Sequence, residues 1–442
     1  MFCVLPCSIS GQTITTFAGT GTAGNSGYGN PATTANIAAP STGTFDKSGN
    51  FFFISTSGSD RLSKVDVSGT ISLIAGGIAG SGGFSGDGGS ASAATFNKPQ
   101  AVAIDRKGNL YIADAYNNRI RKIDISTNVI STFAGNGGTG LVGDGGPATS
   151  ANVYNPLDVC FDKKGNLYIA EAQHYRIRKV DTNGIISTFA GIGGAFGFSG
   201  DGGPATTALL SEVWGICADN QDNLYLADFG NGRVRKVSTA GIISTIAGKG
   251  GSMVQCGDGG PATAACVSPE RIAIDNFGNL YVTSYISNRV RIITSLGIIN
   301  TFAGTGVGGY NGDNGSATAA QLNYPSGLAI DSCGNLYIAD LENARIRKVY
   351  FEHCDYLKVE STRAESNEIS IYPNPAIDQL HIDNISENTS CVILNPVGSK
   401  IFFYTLSECN NLLSIKSLPS GVYFLELKSE SGERTVTRVV KE

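Results

Sequence analysis

Histidine is scarce in this sequence: His174, His353 and His381 are the only three in 442 residues. Imidazole-based metal catalysis commonly uses two or three histidine ligands, so the shortage argues against that chemistry and against most histidine-dependent hydrolysis. There is no basic excess either, because 32 Lys and Arg stand against 37 Asp and Glu, and nucleic acid is therefore not an expected partner. No stretch approaches the ~18 apolar residues of a membrane span, so no transmembrane segment is predicted.

Charged residues make up only 16% of the chain and tryptophan occurs once, as Trp214, whereas glycine is abundant. The 58 glycines are about 13% of the residues, against a usual share of roughly 7%. Apolar residues account for 41%, which is enough for a large core. The glycine excess therefore indicates many tight turns rather than disorder.

Three short phrases recur along the chain at spacings of 56 to 59 residues. The first is Phe/Ile-Ala-Gly, and the second is Asp-x-x-Gly-Asn-Leu-Tyr-Ile-Ala-Asp, clearest at residues 105–114. The third, Asn-Arg-Ile-Arg-Lys-Ile at residues 118–123, repeats an arginine at Arg61, Arg119, Arg176, Arg233, Arg289 and Arg345. Six copies at one period indicate a repeat architecture.

Each repeat predicts four short strands, because apolar runs rich in Ile, Val, Tyr and Phe alternate with turns. In the second copy, strands a to d are predicted at residues 101–105, 110–113, 119–123 and 129–134. Gly108 lies in the turn between strands a and b, where a positive φ is needed. Four strands per repeat of this length are typical of the blades of a β-propeller.

The ends of the repeat region predict how the propeller closes. Strands a, b and c occur six times, but the last copy stops after residues 345–349, and an unmatched fourth strand lies at residues 13–18. Pairing of this strand with the last blade would remove an exposed sheet edge. The chain is therefore predicted to be all-β, with a six-bladed β-propeller at residues 11–350 that is closed by the N-terminal strand.

The phrases Gly-Asn-Leu-Tyr-Ile-Ala-Asp and Asn-Arg-Ile-Arg-Lys, with Phe-Ala-Gly and Gly-Asp-Gly-Gly-Pro-Ala-Thr between the copies, resemble the NHL-repeat β-propellers of bacterial extracellular proteins. The resemblance covers residues 11–350. The first copy departs most from the pattern, because Ser63 replaces the second arginine and Tyr28 replaces an aspartate of the loop.

The periodicity ends near residue 351, and residues 351–368 are predicted to be a linker. Strand-like runs at 380–382, 391–394, 400–404 and 422–427 predict a small Ig-like β-sandwich over residues 369–442. This tail resembles the type A C-terminal sorting domain of the Bacteroidetes type IX secretion system. The residues that carry the resemblance are Tyr372, Pro373, Asn374, Pro375, Gly398, Leu418, Pro419, Gly421, Tyr423 and Lys441.

The resemblance of the tail implies an address rather than an activity. It implies that residues 369–442 engage the export machinery and that the protein is secreted or attached to the cell surface after outer-membrane export. An ordinary accessory sandwich with similar turns is the alternative. Residues 1–10 contain no Lys or Arg and only a short apolar run, so they are interpreted as the remnant of a leader region or as an extension.

Ten cysteines suit an exported protein, in which disulfide bonds persist. One bond is predicted between Cys7 and Cys354, which would fasten the seam of the ring. Another is predicted between Cys256 and Cys266, which bracket the Gly-Asp-Gly-Gly loop of the fifth copy.

The long connection from strand d to the next strand a is the main candidate for a functional surface, because long loops in compact domains are often functional. Each of five such loops carries one aspartate, and these are Asp87, Asp144, Asp201, Asp258 and Asp313. Carboxylates and glycine carbonyls are calcium ligands, so a calcium or polar-ligand surface is one interpretation. The favoured interpretation is structural, with each aspartate accepting backbone hydrogen bonds within its own turn.

The repeated arginines are predicted to pair with the acids that end strand b, rather than to form a basic ring for an anionic partner. Ser55 and Ser284 replace that acid in two copies, so Arg61 and Arg289 are predicted to remain free.

Four further residues have local interpretations. His174 is interpreted as a solvated turn residue, and Cys160 and Cys217 as small buried residues of strand a. Trp214 is an irregular residue at the start of a strand a, where it marks either a ligand-stacking position or, as the favoured interpretation, core or rim packing.

The chain is therefore predicted to be an exported, non-enzymatic binding module that recognises a protein, peptide or glycan on its d-to-a loop face. No cofactor is predicted, with calcium as the alternative. The alternative function is a metal-dependent propeller hydrolase or lyase of the lactonase kind, secreted by the same route.

Overall fold

The computed structural model describes residues 12–56, 58, 60–77, 82–251, 256–351, 370–372, 379–383, 385, 389–394, 400–406, 411–419, 421–429 and 434–441. Two compact units divide the chain, Met1–Cys354 and Asp355–Glu442. Several residues of the sequence predictions lie outside the described residues, namely Cys7, Cys354, Pro373, Asn374, Pro375 and Gly398.

The first unit begins with strand β1 (Gln12–Ala18) and continues with four antiparallel sheets, each of four strands in sequence order. These strands are β2 (Pro40–Phe45), β3 (Phe51–Ser55), β4 (Arg61–Val65), β5 (Ile71–Ala75), β6 (Pro99–Ile104), β7 (Leu110–Asp114), β8 (Arg119–Asp124), β9 (Val129–Ala134), β10 (Pro156–Phe161), β11 (Leu167–Glu171), β12 (Arg176–Val180), β13 (Ile186–Ala190), β14 (Val213–Ala218), β15 (Leu224–Asp228), β16 (Arg233–Val237) and β17 (Ile243–Ala247).

Two further sheets complete the unit, and each includes one additional two-residue strand. Their strands are β18 (Gly260–Pro261), β19 (Ile272–Ile274), β20 (Leu280–Ser284), β21 (Arg289–Ile293), β22 (Ile298–Ala303), β23 (Gly315–Ser316), β24 (Pro325–Ile330), β25 (Leu336–Asp340) and β26 (Arg345–Phe351). The described residues of this unit thus form six sheets, which we call blades 1 to 6 in chain order. Within blades 1 to 5, strands a to d follow the sequence, whereas β1 supplies strand d of blade 6, and strand a is the innermost in every blade.

Strand β1 lies in blade 6, beside β26, in the order β23-β1-β26-β25-β24. The antiparallel register places Thr13 opposite Tyr350 and Ala18 opposite Ile346. The first strand of the chain therefore supplies the fourth strand of the blade that the last repeat leaves incomplete.

The blades pack face to face, which explains why the sequence of strand b is a run of apolar residues. All five residues of β7 are buried, as are those of the other b strands. An apolar cluster that includes Tyr111 and Ile169 joins blades 2 and 3, and one that includes Phe53 and Ile346 joins blades 1 and 6. Burial on both faces favours uninterrupted apolar residues over alternation.

The Asp-x-x-Gly-Asn-Leu-Tyr phrase forms the turn between strands a and b. Asp105 Oδ1 accepts hydrogen bonds from the backbone of Lys107 and Asn109 at 2.8 and 2.9 Å, and its Oδ2 accepts one from the Tyr111 hydroxyl at 3.2 Å. Gly108 has the predicted positive φ, +88°. These aspartates are therefore structural, since they order the turn from within.

Short 3-10 helices stand in the connections on the opposite face of the propeller. Those in the d-to-a connections are Ala32–Thr34, Ala91–Ala93, Ala148–Ser150, Ala205–Thr207, Ala262–Ala264 and Ala317–Ala319. Those between strands b and c are Ala115–Asn117, Ala172–His174, Phe229–Asn231, Tyr285–Ser287 and Leu341–Asn343. Both kinds of connection meet on one face, which we call the loop face.

The described residues of the second unit form two antiparallel sheets. Their strands are β27 (Ser370–Tyr372), β28 (Gln379–Asp383), β29 (Thr389–Leu394), β30 (Lys400–Leu406), β31 (Leu412–Ser414), β32 (Gly421–Lys428) and β33 (Arg434–Lys441). The sheet orders are β27-β28-β31 and β30-β29-β32-β33, and one apolar cluster that includes Leu380, Ile393 and Leu425 joins the two sheets. The predicted strands of the tail are confirmed.

Candidate functional site

The loop aspartates fasten each d-to-a connection to the blade that follows it. Asp87 Oδ1 lies 2.6 Å from Arg121 Nη2, and its Oδ2 accepts a hydrogen bond from Thr132 Oγ1 at 2.6 Å. The same arginine contact recurs for the other four loop aspartates, with Asp144–Arg178, Asp201–Arg235, Asp258–Arg291 and Asp313–Arg347. The next blade also donates backbone amides, such as that of Thr132 to Asp87 Oδ2 at 3.1 Å. Among the described residues these aspartates therefore hold their loops through the next blade and not through the backbone of their own turns, so that part of the structural interpretation is wrong.

The arginine of each pair is the second of its phrase, and it is buried. In blades 2, 3, 4 and 6 it lies between two carboxylates, whereas in blade 5 Ser284 stands in place of the strand-b acid. In blade 4, Arg235 is fully buried and contacts Asp201 at 2.7 Å and the buried Asp228, at the end of strand b, at 3.4 Å. Burial raises the pKa of Asp228 to about 6, although Arg235 and Asn231 favour its charged form. Blades 2 and 6 repeat this arrangement, and burial likewise raises the pKa of Asp114 and of Asp340 to about 6.

Blade 1 replaces all three charges by neutral groups. Ser55 ends strand b, Ser63 takes the place of the buried arginine, and Tyr28 takes the place of the loop aspartate. The Tyr28 hydroxyl lies 3.1 Å from Ser63 Oγ, so a neutral hydrogen bond replaces the ion pair. Two of these three replacements, Tyr28 and Ser63, are therefore matched to each other.

The first arginine of the phrase binds carbonyl oxygens in blades 2, 4, 5 and 6. In blade 3, Arg176 instead pairs with the strand-b acid as predicted, with its Nε 2.5 Å from Glu171 Oε2. Arg233 donates to Asn231 O and Lys249 O at 2.9 Å, and its guanidinium carbon lies 3.7 Å from the centroid of the Phe198 ring. The sequence predicts that Arg289 is free because Ser284 replaces the acid of strand b. Arg289 instead donates a hydrogen bond to Thr305 O at 2.6 Å, so that prediction is wrong. Arg61 lies 6.0 Å from the centroid of the Tyr28 ring, and its Nε has no hydrogen-bond partner among the described residues.

His174 is buried, so its interpretation as a solvated residue is wrong. Its Nδ1 lies 3.2 Å from Glu171 Oε2 and its Nε2 lies 2.8 Å from Thr139 O. In blade 2 the side-chain amide of Asn117 makes the equivalent pair of contacts, to Asp114 and to Gly83 O. The histidine therefore replaces a structural asparagine.

The innermost strands surround a central channel, and all of them except β19 begin with an irregular residue. In blade 5 the equivalent residue, Glu270, lies just before β19. The register with strand b shifts between Pro99 and Ala101, and again between Val213 and Gly215. Such β-bulges turn one side chain away from the regular alternation and are frequent beside active sites. The residues at this position, from blade 1 to blade 6, are Ser41, Gln100, Leu157, Trp214, Glu270 and Ser326.

A cavity of about 400 Å³ lies at the end of the channel on the loop face, and we call it the mouth cavity. Four of the bulge residues line it, which are Gln100, Leu157, Trp214 and Glu270. Trp214 is held flat by Phe229, with ring centroids 4.2 Å apart and planes 17° from parallel. Lys98 Nζ lies 4.5 Å from the centroid of the Tyr116 ring at the same rim. The mouth cavity thus has an aromatic wall with polar groups around it.

Three charged residues converge at the floor of the mouth cavity. Arg271 donates to Trp214 O, and its Nη1 lies 3.9 Å from Asp158 Oδ2. Glu270 Oε1 accepts a hydrogen bond from Ser326 Oγ at 3.0 Å. Burial raises the pKa of Glu270 to about 7 and also raises the pKa of Asp158, in both cases against the charge of Arg271.

Asp158, Glu270 and Arg271 were missed by the sequence reasoning, which found no cluster of charges peculiar to single blades. A signal was present, because the position of Asp158 and Arg271 holds an uncharged residue in the other four blades, namely Thr42, Ala101, Gly215 and Gly327. A charge at a position that is otherwise uncharged, on a strand that lines a channel, is a functional candidate.

Below the floor, a second cavity of about 320 Å³ is lined by the remaining residues of the inner strands. Cys160 and Cys217 lie on its wall, half-buried rather than fully buried, and burial raises the pKa of both thiols well above the usual range. The predicted bond between Cys256 and Cys266 is present. Within the described ranges, no group of three or more His, Cys, Asp or Glu residues converges as metal ligands do.

The residues that carry the resemblance of the tail lie at strand ends and turns. The Tyr372 hydroxyl donates to Asp383 Oδ2 at 2.6 Å, and the Tyr423 hydroxyl donates to Pro419 O at 2.8 Å. Leu418 and Lys441 are buried, and Gly421 begins β32. The described part of the chain contains no helix with the length and apolar character needed to cross a bilayer.

Three protein-family models match the chain. Residues 370–442 match the secretion system C-terminal sorting domain. Residues 210–237 and 322–349 match the NHL repeat, and residues 80–141 and 137–197 match the teneurin NHL domain.

Curated relatives share part of the propeller. The chain is 30% identical over 276 residues to Protein SUPPRESSOR OF QUENCHING 1, chloroplastic, of Arabidopsis thaliana, a match of 58% of this chain and 25% of that protein. It is 31% identical over 281 residues to Teneurin-4 of Mus musculus, a match of 54% of this chain and 10% of that protein. The chain thus spans a quarter or less of the length of these two relatives.

Among solved structures, an auxiliary nutrient binding protein from Bacteroides thetaiotaomicron is similar with a TM-score of 0.55 and 16% identity, over 77% of each chain. At this identity the similarity shows the fold alone. The four-stranded blades, the NHL matches and the match of the tail together identify the chain as an NHL-repeat β-propeller protein with a type IX secretion sorting domain, exported to the cell surface or the extracellular space.

Proposed function

We propose that the exported propeller is a non-enzymatic binding module whose ligand occupies the mouth cavity. The observation that carries the proposal is the set of bulge residues, which differ from blade to blade while the surrounding framework repeats. The arginine–aspartate contacts recur in five blades, whereas Gln100, Leu157, Trp214 and Glu270, which differ between blades, line one cavity of about 400 Å³. Concave sites with an aromatic wall and a few polar groups are the usual form of small-molecule sites.

The mouth cavity replaces the loop aspartates as the preferred ligand position. Each of those aspartates already pairs with a buried arginine, so a ligand or a calcium ion would have to compete with that contact. Asp87 and Asp201 remain 36% and 38% exposed, and a secondary contact with a large ligand at the loop face stays a prediction.

A hydrolase or lyase is the second candidate, and the raised pKa of Glu270 favours it. A buried carboxyl that titrates near neutral pH in a cavity has the properties of a general acid or base. The non-enzymatic proposal instead assigns Glu270 to ligand recognition.

A thermal-shift screen separates the two candidates, because a ligand that binds the folded state alone raises the midpoint of unfolding. The exported chain and its Trp214→Leu variant are screened with sugars, amines, organic acids and short peptides, and each mixture is then examined by mass spectrometry. We expect a stabilising compound that loses its effect in the variant and is recovered intact. Recovery of a cleaved or rearranged compound would establish the enzyme, and equal shifts in both proteins would remove the ligand from the mouth cavity.

A further inference from the structure

Three buried polar atoms on residues that line the mouth cavity have no hydrogen-bond partner among the described residues. Two are acceptors, Asn155 Oδ1 and Glu270 Oε2, and one is a donor, Arg271 Nε. Glu270 and Arg271 are only 5% and 4% exposed, so bulk water does not satisfy them. An unpaired buried polar group destabilises the folded state, and a bound molecule with matching groups removes that cost.

The kinds of unpaired atom restrict the chemistry of that molecule. An ammonium group has no acceptor for Arg271, and a carboxylate or phosphate has no donor for Asn155 or for ionised Glu270. A hydroxyl group both donates and accepts, so a molecule with several hydroxyls on one edge can satisfy all three atoms.

The charges of the cavity wall lead to the same conclusion. Two basic residues, Lys98 and Arg271, and two acidic residues, Glu212 and Glu270, line the cavity, and Asp158 lies beneath it beside Arg271, so both signs of charge are present. An anion or a cation would therefore be attracted by one pair and repelled by the other, whereas a neutral polar molecule meets no net opposing charge.

Trp214 adds a flat apolar surface beside these polar atoms. Phe229 covers one face of the indole, which leaves the opposite face for a ligand ring. A pyranose ring combines an apolar C–H face with a rim of hydroxyl groups, and so fits an aromatic surface flanked by hydrogen-bonding groups.

We propose that the ligand of the mouth cavity is a neutral saccharide, with one pyranose ring on Trp214 and its hydroxyls bonded to Asn155, Glu270 and Arg271. This inference rests on the proposed binding function and specifies the ligand class for it. A cavity of about 400 Å³ lies near the lower end of the roughly 300–1,000 Å³ typical of small-molecule sites, so one or two sugar rings enter it.

Isothermal titration calorimetry on the full exported chain tests the inference with ligands matched in shape and different in charge. The probes are the methyl glycosides of glucose, galactose, mannose and N-acetylglucosamine, their β-linked disaccharides, and glucuronic acid and glucosamine as charged counterparts, each up to about 10 mM. We expect a neutral saccharide to bind with a 1:1 ratio, and at least about tenfold more tightly than the charged counterparts. Tighter binding of a charged counterpart, or no binding by any neutral probe, would overturn the saccharide assignment.

Two variants and a control locate the binding. Glu270→Gln is expected to weaken the saccharide about tenfold, because the amide presents a donor where the carboxylate presents an acceptor. Trp214→Leu is expected to weaken it at least as much, whereas Phe196→Ala, at a 69% exposed aromatic residue outside the cavity, should leave it unchanged. Binding that depends on Trp214 but not on Glu270 would refute the saccharide geometry while keeping the binding function, and saccharide binding that is insensitive to Trp214 would refute both.

Discussion

Replacement of Arg235 by serine should release the d-to-a loop that precedes blade 4. The guanidinium is fully buried and contacts Asp201 at 2.7 Å, Ser199 O at 3.0 Å and Asp228 at 3.4 Å. Its removal leaves the buried Asp228 without its cation, and breaking a buried pair in this way costs about 3–5 kcal/mol. Asp228→Ser, which copies the natural Ser284 of blade 5, leaves the Asp201 contact in place and should cost only about 1–2 kcal/mol.

Hydrogen exchange with mass spectrometry measures the effect at the loop itself. The amides of Gly202 and Ile243 join the loop to strand d of the blade, through Ile243 O and Gly203 O at 2.8 and 3.0 Å. A cost of 3 kcal/mol or more should accelerate their exchange roughly 100-fold, since each 1.4 kcal/mol corresponds to about a factor of ten.

Arg233→Ser is the matched control, because Arg233 lies two residues away on the same strand and binds carbonyl oxygens and a ring instead of carboxylates. It should accelerate exchange by less than about tenfold. The reasoning is refuted if the two arginine variants open the loop equally. A triple variant, Asp201→Tyr, Asp228→Ser and Arg235→Ser, gives blade 4 the three neutral residues of blade 1. The amides of Gly202 and Ile243 should exchange more slowly in this variant than in Arg235→Ser alone.

Three further predictions concern the inner strands and one loop. Burial raises the pKa of Glu270 from 4.5 to about 7, so the stability that its protonated form provides is fully present below pH 4.5 and is lost as the pH rises through 7. The free energy of unfolding of Glu270→Gln should therefore rise relative to that of the wild type by on the order of 3 kcal/mol between these pH values, as measured by urea titration at each pH. Gly215→Ala places a methyl 2.7 Å from Glu270 O and 2.8 Å from Arg271 Cα, so it should destabilise the propeller by about 1–3 kcal/mol in the same assay, and an unchanged midpoint would contradict the close approach of the two strands. Cys256→Ser opens a disulfide that closes a ten-residue separation and should lower stability by about 2–4 kcal/mol, while Cys160→Ser should not; a free Cys256 thiol in the unreduced protein would contradict the bond.

The sequence predicts the strands well because each blade repeats the same apolar phrase, and the d strand at residues 129–134 has the predicted bounds. Strand a was predicted to begin at Ala101, whereas it begins at Pro99. The two missed residues include the bulge, where regular alternation fails. The bulge is also where Gln100 and its counterparts enter the channel, so this error concealed the candidate site.

The partners of the arginines were predictable only in part. Asp114 lies directly opposite Arg119 in the β7–β8 register, yet it contacts Arg121, which is diagonal to it. Arg119 turns to the carbonyls of Asn117 and Asn136 instead. The choice depends on Asp87, whose loop reaches this blade from the preceding one, and nothing in the sequence near Asp87 indicates which arginine it contacts. Periodicity thus predicts the framework, while contacts between blades require the folded chain.

The most direct test of a ligand in the mouth cavity uses the fluorescence of the only tryptophan in the sequence, Trp214, which lies on the wall of that cavity. The exported chain is titrated with the compound that calorimetry identifies, and the emission of Trp214 is recorded at each step. We predict a saturable change in emission with the same dissociation constant as in calorimetry and a 1:1 ratio. Calorimetric binding with unchanged Trp214 emission would place the ligand elsewhere on the propeller and contradict the central claim.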